Sequence, residues 1–533
     1  MRILRNNFYS PVIKTGRKIS FALALICLGY LGATLGKASD NGDGTFTNPV
    51  LNADYPDCDV IRVGDDYYFI SSSMHFSPSD PILHSKDLVN WEVIGYAIPR
   101  YETSIFGPRY DMVGGDAYGK GSWAPSIRYH GGTFYVLFTV PSKGPAAGTS
   151  YISRATNPAG PWTLNSLEVN LYDPGLFFDD DGKVYVLHGQ SSIVCTELTS
   201  DLTAVKGTSK EIFHGSIEGS HVYKRNGYYY VLNPGAGKEH CFRSKSLLGP
   251  YEHQVILDSD TGFSGKGIHQ GGIVDTQAGE WWGIFFQDQP PLGRIPHLEP
   301  VTWIDDWPMV GKDGKGVSTF KKPDVGKTYT PTQMIRADEF DLPTLGIKWQ
   351  WNHNPVDSAW SLTERSGYLR LKTASVAPYW RNTLNTLTQR LTSPRSIVTT
   401  KLDVSRMKDG DVAGLGVMQS GRSCIAVTQF NGVRSLEVDS EIWSRRTKLI
   451  TRTTMATAPL TGNNIWLKAE ASISGGRTQF SYSTDGQQFT PLGDEQPMVL
   501  DFYDDWTGQR IALFNYATQA LGGSVDVDWF HFE

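Results

Sequence analysis

The sequence predicts an all-β chain, a five-bladed β-propeller followed by a β-sandwich. Three observations carry this. Between residues 50 and about 305, five segments repeat one hairpin pattern, an apolar or aromatic run, a short turn and a second run. Several of these repeats also close alike, with an aromatic residue just after a turn. Beyond residue 332 the strands change to alternating apolar and polar residues, the signature of sheets with one buried and one wet face.

Residues 1–38 read as a secretion signal. Arg2, Arg5, Lys14, Arg17 and Lys18 precede an apolar run from Ile19 to about Leu35, closed by Gly36-Lys37-Ala38. The run is short and poorly flanked for a membrane span, so the expected destination is the periplasm or the medium. Its removal leaves about 500 of the 533 residues, enough for two cores. The net charge of −6 and the lack of a long basic run argue against nucleic acid, and no membrane partner is expected beyond the leader. With 15 Trp, 25 Tyr and 24 Phe the chain is rich in flat side chains, which suit strands and also sugar-binding surfaces. Cys58, Cys195, Cys241 and Cys424 are too few for a disulfide framework. Cys195 and Cys241 lie in neighbouring repeats, and their spacing leaves a pairing open.

The five hairpins follow in order. Val60–Val63 and Tyr67–Ile70 flank Gly64-Asp65-Asp66; Ser126–Tyr129 and Phe134–Val136 flank His130-Gly131-Gly132. Leu176–Phe178 meets Val184–Val186, His221–Tyr223 meets Tyr228–Val231, and Gly272–Val274 meets Trp281–Ile284. The shared endings are Asn90-Trp91, Pro161-Trp162 and Pro250-Tyr251; sandwiches also show regular hairpins but seldom repeat a closing motif. Residues 46–309 are therefore assigned to the propeller. The Gly-, Lys-, Pro- and Thr-rich stretch 310–332 reads as a linker or surface strap, and 333–533 as the sandwich.

Three repeats open on a lone carboxylate, Asp57 after Tyr55-Pro56, Asp173 in Tyr172-Asp173-Pro174, and Glu218 before Gly219-Ser220-His221. In a propeller the first strand of each blade lines the central channel, so these acids should converge. Clustered carboxylates cannot all ionise cheaply, which places an acid beside a base. Glycosidic cleavage needs that pair, one carboxyl to protonate the leaving oxygen and one carboxylate to activate water or attack the sugar. The plainer alternative makes Asp57 and Asp173 turn residues beside prolines and Glu218 a solvated loop acid.

The motifs Asn48-Pro49-Val50-Leu51, Pro56-Asp57, Val60 to Tyr68, His84 to Trp91, Trp123-Ala124-Pro125, Asp173-Pro174 and Glu218-Gly219 together resemble glycoside hydrolase family 43 over about residues 46–305. The resemblance implies an inverting mechanism with Asp57 as general base, Asp173 as pKa modulator and Glu218 as general acid. Inversion implies carboxyls of base and acid about 6.5 to 9.5 Å apart. Cys58 and Ser220 stand where the family usually has Pro; with no His beside it in sequence, Cys58 is expected to be buried packing rather than a nucleophile.

Trp123 and Phe76 are expected to contact substrate, and Arg294 resembles the family's substrate-binding arginine. His269 falls at the start of the fifth blade, where many relatives place a histidine beside a channel ion or water. No cofactor is required by this reading, and a structural Ca2+ at His269 would rest on a poor sole ligand for a hard cation. The second domain resembles the concanavalin-like sandwich of the xylosidase-like branch around Trp349 to His353 and Gly367 to Leu371, with Thr507-Gly508 matching a loop that narrows the pocket rim. Arg510 stands where β-xylosidases of the family carry Phe, which favours arabinofuranose or a decorated substrate. The expected activity is that of an exported inverting exo-glycosidase. It would act on terminal α-L-arabinofuranosyl or β-D-xylosyl residues of plant cell-wall oligosaccharides and polysaccharides. A non-catalytic sugar-binding protein is the alternative from another class, and an endo-acting enzyme would require an open groove.

Overall fold

The computed structural model describes residues 39–533 apart from 143–145, 263–265, 332, 333 and 335; the leader expected over residues 1–38 lies outside them. Each predicted hairpin is the inner half of a four-stranded antiparallel sheet in simple up-and-down order, and five such sheets form a propeller. Blade I comprises Asp59–Val63, Asp66–Ile70, Ser79–Ser85 and Glu92–Ile98; blade II comprises Trp123–His130, Thr133–Pro141, Gly148–Ala155 and Thr163–Ser166. Blade III comprises Gly175–Phe178, Val184–His188, Ser192–Leu198 and Val205–His214. Blade IV runs through His221–Arg225, Tyr228–Gly235, Lys238–Ser244 and Glu252–Leu257, and blade V through His269–Asp275, Trp281–Gln289, Gly293–Ile304 and Trp307–Val310. The inner strand of blade V packs beside that of blade I and closes the ring, where Arg62 Nη2 donates to Asp275 Oδ2 at 2.5 Å.

The stretch after blade V folds back across the propeller. Thr319–Lys321 pairs antiparallel with Thr45–Thr47, and Val317 and Val325 are buried with Phe46, Trp282 and Ile284 in the core between blades V and I. The chain then enters a two-sheet sandwich. One sheet orders Leu449–Pro459, Val433–Ser444, Gly421–Phe430, Asp411–Met418, Arg510–Ala517, Leu387–Arg390 and Gln350–Asn352. The other is built on Leu369–Lys372, Ser524–Phe532, Arg395–Asp403, Asn464–Ser472 and Arg477–Ser483. Arg395–Asp403 and Asn464–Ser472 bury every second residue, as their alternation predicts, and Val398, Leu402, Leu467 and Phe480 fill the space between the sheets.

The two domains share structure. Phe76–Ser77, from blade I, pairs with Trp351 and Asn352 as the edge strand of the first sandwich sheet, and Leu292 and Ile295 of blade V are buried in the sandwich core. Phe76 is consequently 2% exposed, with the Arg510 guanidinium 3.6 Å over its ring, so it belongs to the domain seam and not to a substrate-facing wall. Cys58, Cys195, Cys241 and Cys424 are buried free thiols; Cys195 and Cys241 pack in different apolar clusters and do not pair. Among the described residues no helix is long and apolar enough to cross a membrane.

Candidate active site

The mouth of the propeller is built from one local device used five times. At the start of each inner strand one residue adopts positive φ: Asp57 (54°), Ala124 (41°), Asp173 (47°), Gly219 (57°) and Gln270 (47°). Such a conformation turns the chain sharply into the strand and is costly for most side chains, so five equivalent occurrences around one axis mark a shared structural demand. All five residues line the same small axial cleft. Gly219 has a local reason to be glycine, since a Cβ there would lie 2.9 Å from Gln270 Nε2. The residues one position earlier form a second ring, Pro56, Trp123, Tyr172, Glu218 and His269. Asp57 and Asp173 are thus equivalent positions, while Glu218 reaches in from the second ring with a longer side chain.

The three predicted acids therefore meet, and their surroundings differ. Asp57 is 6% exposed and accepts from Arg294 Nη1 at 2.6 Å. Arg294 is itself 9% exposed, and its Nη2 donates to the carbonyl of Trp506, from the sandwich, at 2.9 Å. The arginine acts here as a clamp on Asp57. Asp173 is buried; burial first, then the negative charges of Glu218 and Asp57, push its carboxyl well above the usual carboxylate range, with Arg294 offsetting part of this. Ionising Asp173 beside the other two carboxylates is thereby disfavoured. Glu218 is half-buried, and its Oε2 accepts from Gln190 Nε2 at 2.7 Å and from the Tyr172 hydroxyl at 3.3 Å.

One more acid lies under the mouth. Asp59 accepts from Arg128 Nη1 at 2.5 Å, Ile127 N at 3.0 Å and Ser126 Oγ at 3.1 Å, with His221 Nδ1 3.2 Å away. Burial opposes its charge, but Arg128 and His221 outweigh burial and hold its pKa at about 2. Two aspartates two residues apart are thus sorted into a wall residue and a permanently ionised brace.

Trp123 is partly exposed and stands edge-on to Tyr172 and to Trp506, with ring centroids 6.3 and 6.0 Å away. The sandwich therefore does supply a rim residue, but it is Trp506 that meets Trp123. Arg510 is 1% exposed, stacked on Phe76 and bonded to Gln350 Oε1 at 2.9 Å, so the preference for arabinofuranose read from that position loses its ground. Between blades III, IV and V the mouth opens into a pocket of about 450 Å³ whose lining includes Gln190, Ile217, Glu218, Pro234, Lys266 and His269.

His269 Nδ1 lies 2.7 Å from the Gly267 carbonyl, and its ring rests against Phe286. Burial lowers its pKa, which favours the neutral ring. Calcium requires six to eight oxygen ligands. No group of three or more His, Cys, Asp or Glu side chains able to hold a metal gathers among the described residues. Cys58 is fully buried, and burial, then the charge of Asp57, drives its thiol pKa well up, which suits packing and not nucleophilic attack.

Comparison with known proteins fits this arrangement. The pattern of glycosyl hydrolases family 43 matches residues 46–308, and that of the beta xylosidase C-terminal concanavalin A-like domain matches residues 337–533. A putative beta-xylosidase of Xylanibacter ruminicola is 36% identical over 502 residues, covering 90% of this chain and 88% of the relative. The chain belongs to glycoside hydrolase family 43. This family 43 enzyme is also 30% identical over 547 residues to the non-reducing end alpha-L-arabinofuranosidase BoGH43B of Bacteroides ovatus, covering 97% of this chain and 99% of that protein. Among solved structures, the bifunctional GH43-CE protein of Bacteroides eggerthii superposes with a TM-score of 0.83 at 34% identity over 91% of this chain; the family 43 chain described here spans 63% of that longer protein.

Sequence reasoning missed Tyr172, Gln190, Trp506 and the Asp59 brace. Tyr172 was within reach, since aligning the five blade openings places it beside Trp123, Glu218 and His269. Gln190 sits in the turn between the second and third strands of blade III, which shares no residue pattern with the equivalent turns, and Trp506 comes from the other domain.

Proposed function

We propose that this family 43 enzyme is an exported, inverting exo-glycosidase that removes terminal α-L-arabinofuranosyl or β-D-xylosyl residues from plant cell-wall oligosaccharides and polysaccharides. The observation that carries the reading is the meeting of Asp57, Asp173 and Glu218 at one mouth, with Arg294 on the first and the second pushed above the usual carboxylate range by burial and by the charges of Glu218 and Asp57. In this reading Asp57, held by the guanidinium, takes the proton of the attacking water. Glu218, with Oε2 occupied by Gln190 and Tyr172, offers Oε1 to the glycosidic oxygen. The proton that the crowded carboxylates share stands on Glu218 Oε1 when the leaving oxygen takes it, Asp173 beside it favours that protonated state, and the proton Asp57 takes from water restores the count. The tryptophan wall completed by Trp506 supports attack at a chain end, and the names of the two relatives support the pair of sugars. The leader read in residues 1–38 supports export.

The test is hydrolysis of an aryl α-L-arabinofuranoside and an aryl β-D-xyloside side by side, with the product anomer followed by NMR. Turnover of at least one with inverted product is expected, and Asp57→Asn should lose roughly 1000-fold of it. Undiminished turnover by Asp57→Asn, or a retained anomer, would overturn the mechanism. A ladder of oligosaccharides from arabinan would exclude exo action.

A further inference from the structure

Asp54 lies three residues before the proposed base and is 2% exposed. Its carboxylate is shared between the two domains. Oδ1 accepts the backbone N–H of Arg294 in blade V at 2.8 Å, and Oδ2 accepts the backbone N–H of Gly508 in the sandwich at 2.9 Å. Space around it is tight on both sides. A Cβ on Gly293 would lie 2.3 Å from Asp54 Oδ1, and one on Gly508 would lie 1.7 Å from the Leu292 carbonyl. Tyr55 N donates to the Arg294 carbonyl at 3.0 Å, so Asp54 and Tyr55 grip the arginine's backbone from both ends.

The arginine's side chain then closes a circuit, reaching Asp57 with Nη1 and the Trp506 carbonyl with Nη2. Two bridges, Asp54 to Gly508 and Arg294 to Trp506, thus tie one turn of the sandwich to the segment that carries Asp57. We propose that Asp54 is a positioning residue for catalysis, locking the sandwich turn Trp506–Gly508 onto Arg294 so that Asp57 is held at its working place. The inference rests on Asp57 being the base.

An isosteric change isolates the effect. Asn at position 54 keeps one acceptor but turns an N–H₂ group towards a backbone N–H, so one bridge must open. A displacement of about 1 Å at a catalytic group costs on the order of 100-fold, so Asp54→Asn should lower kcat about 10- to 100-fold with KM changed less than about twofold. The stoichiometry of product-sugar binding by calorimetry should stay at the wild-type value, because every molecule keeps a folded site. Gly508→Ala strains the same bridge from the sandwich side and should reproduce this signature, which keeps the test decisive if Asp54→Asn folds poorly. Arg100→Ala is the control. It removes a different contact between the domains, to Asp357 at 3.1 Å and the Pro355 carbonyl at 2.9 Å, and should leave kcat unchanged. If both site variants turn over like Arg100→Ala, or if their loss of kcat follows a proportional loss of binding stoichiometry, Asp54 is merely structural and the proposal falls. Asp57→Asn measured alongside separates the two failures, since normal turnover there would remove the base assignment itself.

Discussion

Glu218 Oε2 is engaged by two neutral donors, Gln190 Nε2 and the Tyr172 hydroxyl, which leaves Oε1 as the oxygen able to meet a leaving group. Gln190 is exposed, so its loss removes an orienting contact without opening a core. Gln190→Ala should lower turnover of a substrate with a sugar leaving group about 10-fold, a part of what complete loss of general acid catalysis costs. With a dinitrophenyl leaving group, which departs without help from a proton, the loss should nearly vanish. Comparing the two kcat ratios checks this, and an equal fall on both substrates would refute an orienting role on the acid. Asp57 and Asp173 were legible in the sequence because each is a lone carboxylate at a repeated place, and the repeat itself predicts that such places converge. Gln190 carried no comparable signal, because the turn between second and third strands in which it lies shares no residue pattern with its counterparts in the other blades.

At the scale of elements, the turn Phe502–Asp505 decides where Trp506 stands. Asp501 precedes it and its side chain accepts from Tyr503 N at 3.0 Å, while Trp506 ends it in a left-handed conformation, with φ 58°. Such a cap stabilises by about 0.5–2 kcal/mol. Asp501→Ala should therefore free the turn locally, weaken the tryptophan wall and raise KM several-fold, with little change in melting temperature. Steady-state kinetics beside thermal unfolding test this, and an unchanged KM would show that the wall does not depend on the cap. The blades were readable because each hairpin pairs residues close in sequence, with a turn that announces itself. Phe76 was misplaced because its partner, Asn352, lies far along the chain, and a two-residue edge strand has no periodicity to betray it. Arg510 failed for a related reason. Every residue of Arg510–Ala517 is buried, so period two does not reveal which side faces a pocket.

The sandwich core takes in Leu292 and Ile295 of the propeller and the first sandwich sheet ends on the Phe76 edge strand, so the stability of the two domains is expected to respond to pH together. Asp80 is one of several buried acids raised towards the neutral range. Burial, with the nearby charge of Asp57, raises its pKa to about 8, although the Ser122 hydroxyl donates to Oδ2 at 2.6 Å. Burial likewise raises Glu299 to about 8, against the Val317 N–H at 2.8 Å. Unfolded, both groups titrate near 4, so between about pH 4 and 8 the folded state holds protons that the unfolded state has released. Their contribution is complete below about pH 4 and is lost as pH rises through 8, at about 1.4 kcal/mol per pH unit for each group. Other groups act in other windows. Burial lowers His188 and His297 to about 4, which costs stability only as pH falls below about 6.5, and Asp59, held at about 2, loses its contribution only in stronger acid. Between pH 6.5 and 8 the raised acids are left to set the slope, and the melting temperature should fall. Asn suits the positive φ of position 80 (54°) and keeps an acceptor for Ser122. Asp80→Asn should therefore melt higher than wild type at pH 8 and lose about one group's share of the slope. Thermal unfolding of both proteins at pH 6.5 and 8 decides it, and parallel slopes would show that Asp80 is already ionised in the folded protein.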